Sequence, residues 1–242
     1  MERRELTEKI CGTAISAGAS ICGIADLRLL RGIPTCELDL DKFKYAVAYG
    51  VALPTSAVES ITVEGPGRLY AWAYKTANSL LDLIGIRISC FVSEVGGESL
   101  VIPSSMRVDI GNELGHVSHK AFALAAGLGW IGRNNLLVTP EFGPRVRLGT
   151  VLTDLELEPG SPMMNRCGDC RLCVTSCPSH ALSFAEFEVR PSSREAILDL
   201  KRCSSRLKTM KELLSKKAGA GDYAAEICGV CIKVCPYGKK TC

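Results

Sequence analysis

Seven cysteines in two short runs have the spacing of iron–sulfur ligands. Cys167-Gly-Asp-Cys170-Arg-Leu-Cys173-Val-Thr-Ser-Cys177-Pro178 reads C-x2-C-x2-C-x3-C-P, and Cys228-Gly-Val-Cys231-Ile-Lys-Val-Cys235-Pro236 repeats its last three cysteines and its proline. In this pattern three thiolates hold three corners of one [4Fe–4S] cube, and the fourth crosses to the other cluster. The proline after the crossing ligand has a fixed φ and no N–H, so the chain turns away there. Zinc also favours C-x2-C pairs, but it takes four ligands in a tetrahedron, which three successive x2 spacings and a second copy fit poorly. A full second copy would place a cysteine at position 225, where Ala225 stands, and Cys203 is the only cysteine between the runs. The spacing therefore predicts one cluster on Cys167, Cys170, Cys173 and Cys235, and another on Cys177, Cys203, Cys228 and Cys231. A three-iron cluster, or completion by Cys242, is the alternative.

Such clusters need a scaffold, and 242 residues suffice for one large domain or two modest ones. A hydrophobic content of 47% with 23% charged residues describes a globular protein able to bury a sizeable core. Net charge is only +3, too small to argue for nucleic acid or membrane. Residues 201–242 nevertheless hold ten Lys/Arg against three Asp/Glu. That surplus reads either as a docking patch for RNA or an acidic electron donor, or as compensation for negatively charged clusters, and the second reading is preferred. The five remaining cysteines (Cys11, Cys22, Cys36, Cys90 and Cys242) are scattered, as free thiols behaving as small hydrophobes are. This usage predicts a reducing, cytoplasmic setting. Arg3-Arg4 opens a helix better than a signal sequence, and no apolar run has the length of a membrane span.

Apolar periodicity predicts a helix over residues 5–18 with Leu6, Ile10, Ala14 and Ala17 on one face. Residues 20–24, 45–53 and 99–103 read as strands. A long helix follows Pro66, with a stripe of Leu69, Ala73, Ala77, Leu80, Ile84, Ile88, Phe91 and Val95, and Gly96-Gly97 stops it. Helices alternating with short buried strands predict an α/β sheet domain over residues 1–160. Glu158-Pro-Gly-Ser-Pro162 reads as a linker, and residues 161–242 form the cluster domain.

Ser118 caps a predicted helix over 119–126, after which Gly127-Leu-Gly129-Trp130-Ile-Gly132-Arg133-Asn-Asn135 forms a glycine-rich turn into a strand at 136–138. A second turn through Phe142 leads to a strand over 145–153. Three glycines in six residues let the backbone approach something flat or bulky closely. The near match to G-x-G-x-x-G follows a helix instead of a strand, which excludes a dinucleotide fingerprint.

The string AGLGWIGRNNLLVTPEFGPRVRLGTVLTDLEL, followed by CGDCRLCVTSCP and CGVCIKVCP, resembles epoxyqueuosine reductase and, more distantly, the corrinoid reductive dehalogenases. The resemblance spans roughly residues 115–235. It implies a nitroreductase-like α/β domain that binds cobalamin, followed by a bacterial-ferredoxin-like double [4Fe–4S] domain. It also implies that Gly127, Gly129, Trp130, Gly132, Arg133, Asn135, Phe142, Arg145 and Arg147 line the corrin, with Trp130 lying against it. A low-potential donor such as ferredoxin or flavodoxin would supply electrons for reduction of a small molecule or a modified nucleoside. An electron-transfer or corrinoid-activating protein without its own substrate is the other reading.

Epoxyqueuosine reductases carry a catalytic aspartate in a V-D-[ST] segment. Val108-Asp109-Ile110 matches its first two positions and departs at the third, and a few extra residues separate it from the GLGW string. Three proton donors are therefore in play: Asp109 by motif, Glu113 by distance, and His119 by its near-neutral ordinary pKa. The chain closes soon after the second cysteine run, without the helical-repeat extension some of these reductases carry. That speaks against a tRNA substrate without excluding it.

Overall fold

In the computed structural model, residues 2–216 and 224–239 are described. They separate into two compact units that interleave along the chain. The first takes the residues up to Ala52, Asn78–Gly129 and Arg147–Met163; the second takes Leu53–Ala77, Trp130–Val146 and the described residues from Met164 onward. The expected single division after residue 160 gives way to this interleaving, although the last crossing falls within a few residues of it.

The first unit is built on a four-stranded sheet of order β1-β2-β6-β3, formed by β1 (Ile21–Asp26), β2 (Tyr45–Ala52), β6 (Val146–Thr153) and β3 (Ser99–Ile102). β1 runs antiparallel to β2, with Ile21 opposite Gly50, and β3 runs antiparallel to β6, with Ser99 opposite Thr153. All of β2 up to Val51 is buried, as its unbroken apolar run requires. Helix α1 (Arg3–Ser16) buries Leu6, Ile10 and Ala14, three of the four residues expected on its inner face. A short helix α2 (Thr55–Glu59), in the second unit, precedes α3 (Gly67–Glu94), which the division at Asn78 shares between the two units. The buried stripe of α3 is Tyr70, Ala73, Ala77, Leu81, Ile84, Ile88 and Val92, with Ala71, Asn78 and Gly85 also buried. Steps of three and four from Tyr70 follow the 3.6-residue turn more faithfully than steps from Leu69, and Leu69 is exposed.

Gly85 sits in mid-helix because a tyrosine passes there. A Cβ at Gly85 would lie 2.6 Å from the Tyr49 hydroxyl, and one at Gly149 would lie 2.5 Å from the same ring. The buried Tyr49 hydroxyl donates to the Leu81 carbonyl at 3.0 Å, so the two glycines open the slot that lets this donor reach its acceptor.

In the second unit, β4 (Trp130–Ile131) pairs antiparallel with β5 (Leu137–Val138). The expected glycine-rich turn is therefore a hairpin tip, closed by Gly132 N–H to Leu136 O and Asn135 N–H to Gly132 O, both 2.9 Å. Around it lie the short helices α5 (Leu172–Thr175) and α7 (Val230–Lys233) of the two cysteine runs and the longer α6 (Leu200–Ser215). α4 (His119–Ala125) belongs to the first unit. Among the described residues no helix is long and apolar enough to cross a membrane.

Candidate iron–sulfur centre

Each cysteine run coils tightly. The Cys170 amide donates to the Cys167 carbonyl at 3.1 Å, and the Cys167 amide is held by the Asn165 side chain at 2.8 Å. Asn165 in turn donates to the Ile131 carbonyl at 3.1 Å, tying the first run to the hairpin. At the end of that run the Cys177 sulfur accepts the Ala181 amide at 3.4 Å and lies 3.5 Å from the Ser179 hydroxyl. Burial works against its ionisation, but Ser179 and neighbouring amides outweigh that and hold the Cys177 thiol below its ordinary pKa.

The other thiols respond to one another. Cys173 is pushed up to about 12 by burial and then by Cys167, Cys235 and Cys170. Cys231 is pushed well up by burial and then by Cys228, Cys173, Cys203 and Cys177. Thiolates gathered in this way repel, and they ionise together only when cations share them. Among the described residues no three His, Cys, Asp or Glu form a set that could hold a metal ion. A zinc site needs its ligands around one point, whereas a cube keeps each thiolate at its own iron corner.

Two buried arginines support these loops. Arg133, at the hairpin tip, donates to the carbonyls of Gly168 at 2.8 Å and Ala185 at 3.0 Å, and pairs with Glu186 at 3.2 Å. Arg145 donates to the carbonyls of Lys233 at 3.0 Å, Cys235 at 3.3 Å and Tyr237, with Glu59 at 3.7 Å. Asn134 reaches the Cys231 carbonyl at 3.4 Å. Trp130 has no exposed surface; its ring meets Tyr237 edge-on at 4.7 Å, and the Arg166 guanidinium lies 5.8 Å from its centre. Nothing in the local residue pattern signals these long-range partners.

Four buried side-chain N–H groups find no acceptor among the described residues: Trp130 Nε1, Arg133 Nε, Arg145 Nε and Arg206 Nε. All belong to the second unit. Buried donors left unmatched are rare and call for a partner, and electron-rich cluster sulfur is an acceptor of the right kind. The residues present therefore fit iron–sulfur clusters.

They do not fit a corrin in the expected place. Trp130, Arg133, Asn135 and Arg145 are buried, with Trp130, Arg133 and Arg145 packed on or bonded to the cysteine-bearing segments, and Gly129 is buried. A Cβ on Gly127, whose φ is +74°, would lie 2.7 Å from the Ser161 carbonyl oxygen, and one on Gly132 would lie 2.7 Å from Val138. These glycines make room for the chain itself. Phe142 is half-buried, and the half-buried Arg147 donates to Asn78 at 2.9 Å.

The three expected proton donors lie on the first unit and have separate partners. Asp109 accepts from the Asn112 amide at 2.9 Å and side chain at 2.6 Å, closing its own loop. Glu113 pairs with Arg107 at 3.1 Å. His119 Nε2 lies 3.2 Å from the Pro103 carbonyl, which only accepts, so Nε2 carries the hydrogen and Nδ1 accepts from the Thr150 hydroxyl at 2.8 Å. Burial pushes this imidazole down to about 4, offset in part by Pro103 and Asp82 and deepened by Arg147. His119 is neutral at pH 7, and its one N–H is committed to a carbonyl. It is a structural residue, not the acid its ordinary pKa suggested.

Comparison with known proteins bears on the cysteine-bearing segment of the second unit. Residues 166–238 match the model of the 4Fe-4S double cluster binding domain. The chain is also 36% identical over 131 residues to epoxyqueuosine reductase of Gloeobacter violaceus, which takes in 52% of this chain and 37% of that protein. The chain thus spans little more than a third of that curated relative. Among solved structures, a reductive dehalogenase described for B12-dependent dehalogenation superposes with a TM-score of 0.70 at 20% identity, covering 99% of this chain and 32% of that one. An epoxyqueuosine reductase bound to a modified tRNA stem loop superposes at 0.60 with 24% identity, covering 98% and 66%. At these identities the superpositions establish a shared fold.

Proposed function

We propose that this chain is an iron–sulfur reductase whose two [4Fe–4S] clusters accept single electrons from a low-potential donor protein and relay them to an acceptor. One cluster is held by Cys167, Cys170, Cys173 and Cys235, the other by Cys177, Cys203, Cys228 and Cys231. The observation that carries this reading is the gathering of those thiols in the same unit as the four unmatched buried side-chain N–H groups of the described residues. When bound, the clusters supply one-electron chemistry at potentials set by burial and by hydrogen bonds to sulfur. The chain's own residues do the rest: Arg133 and Arg145 hold the loops and offset cluster charge, and Trp130 and Tyr237 exclude water.

A corrinoid acceptor is the second reading, favoured by the B12-dependent neighbour. A small molecule or modified nucleoside would then be the substrate, as the stem-loop complex of the other neighbour suggests. Trp130, Arg133 and Arg145, expected to line a corrin, are instead packed against protein, which weighs against this reading. Anaerobic titration of the reconstituted protein with cob(II)alamin separates the readings. A cobalt EPR spectrum shifted to the base-off form on addition of stoichiometric protein adds the corrin. A spectrum identical to free cob(II)alamin leaves a relay to another acceptor.

A further inference from the structure

Helix α6 carries Lys201, Arg202, Arg206, Lys208 and Lys211 against one acid, Glu212. An open groove of about 480 Å³ runs beside it, lined by Ser179, Lys201, Arg202, Ser205, Arg206 and Thr209. Three cations and three hydroxyls give it the donors that carboxylates or phosphates require. Its place on the chain is as telling as its charge. Ser179 touches the Cys177 sulfur, and Cys203 lies on α6 between Arg202 and Ser205. The two stretches are pinned together: the Asp199 amide donates to the Ala181 carbonyl at 2.8 Å, Leu182 bridges to Leu198, and Arg202 reaches the His180 carbonyl at 3.4 Å. Residues next to two of the cysteines assigned to one cluster thus line the groove.

Sequence alone favoured charge compensation as the reason for this basic stretch. The structure gives that role to Arg133 and Arg145, which are buried against the cysteine loops, while Lys201 and Lys208 stand exposed. Among the described residues no aromatic side chain lines the groove, so nucleic-acid bases find no stacking surface there. Acidic side chains of a protein need only the N–H and O–H donors present.

We propose that this groove docks an acidic, low-potential electron-carrier protein, which delivers its electron to the cluster on Cys177, Cys203, Cys228 and Cys231. The carrier loses one electron and the cluster gains one, with no bond made or broken. Electron transfer weakens steeply with distance, so entry beside two cluster ligands shortens the path. The proposal rests on the two-cluster reading above.

Stopped-flow reduction of the anaerobic holoprotein by a chemically reduced, acidic flavodoxin tests it. Lys201→Glu should lower the second-order rate constant on the order of tenfold at low ionic strength, and salt should close the gap by screening. Lys208→Glu should act in the same direction, and Lys42→Glu, an equal charge change on the first unit, should slow the reaction far less. Iron content equal to wild type certifies that each variant is folded. Rates unchanged in Lys201→Glu and Lys208→Glu would overturn the proposal. So would loss of RNA hairpin binding in these variants with flavodoxin rates intact, which would make the groove a nucleic-acid surface. Dithionite needs no docking site, so wild-type protein that dithionite cannot reduce indicts the clusters themselves and not the groove.

Discussion

Changing Cys203→Ala should halve the iron of the anaerobically purified protein, from about eight atoms per chain to about four. The reasoning is local. Cys203 stands on α6 among the residues that, after burial, raise the Cys231 thiol, together with Cys228, Cys173 and Cys177. Ala225 occupies the position where a regular second run would carry its own ligand. Removing Cys203 leaves three thiolates for one cube, while Cys167, Cys170, Cys173 and Cys235 keep theirs. EPR of the dithionite-reduced variant should show one four-iron signal without the spin coupling of a neighbouring cluster. Both signals surviving would transfer the ligand role to Cys242, which lies outside the described residues.

Arg145→Met should be nearly as damaging, by a different route. The guanidinium is 2% exposed and donates to three carbonyls that flank and follow Cys235. A methionine fills the space but leaves those half-buried carbonyls without their donor, at a cost of about 1–3 kcal/mol. The loop that presents Cys235 should loosen, and the cluster it completes should be lost first on exposure to a chelator. Arg145→Lys keeps the charge but cannot fork to several acceptors, so it should fall between the two. Chelator-driven bleaching of the cluster absorbance, followed anaerobically in the three proteins, checks the order. Equal bleaching rates in wild type and Arg145→Met would show that the clamp is not needed.

The double-cluster segment was legible in the sequence because its cysteine spacing is local: a C-x2-C turn is dictated by the chain within a few residues. The long helix α3 and the strands of the sheet were legible for the same reason, since apolar periodicity reports burial directly. Leu69 shows the limit, being apolar yet exposed one position away from the true buried stripe at Tyr70. Arg133 and Arg145 were noticed but given the wrong partner. Their acceptors lie at Gly168, Ala185 and Cys235, far along the chain, and nothing in a run such as Gly132-Arg133-Asn134 states what a guanidinium will meet. His119 failed in another way: its type suggested acid–base work, and only its enclosure beside Pro103 and Thr150 shows that it stays neutral. The interleaving of the two units was hidden too. Residues 53–77 and 130–146 carry no cysteine, yet Lys233 donates to the Glu59 and Ile61 carbonyls, and Arg145 holds Cys235.

The most direct measurement is the iron and acid-labile sulfide content of wild-type protein purified without oxygen, with Mössbauer spectroscopy of the same sample. Two complete cysteine quartets predict about eight irons and eight sulfides per chain, all in cubane four-iron form. A content of about four of each with wild-type cysteines intact, or tightly bound zinc with no sulfide, would contradict the two-cluster centre.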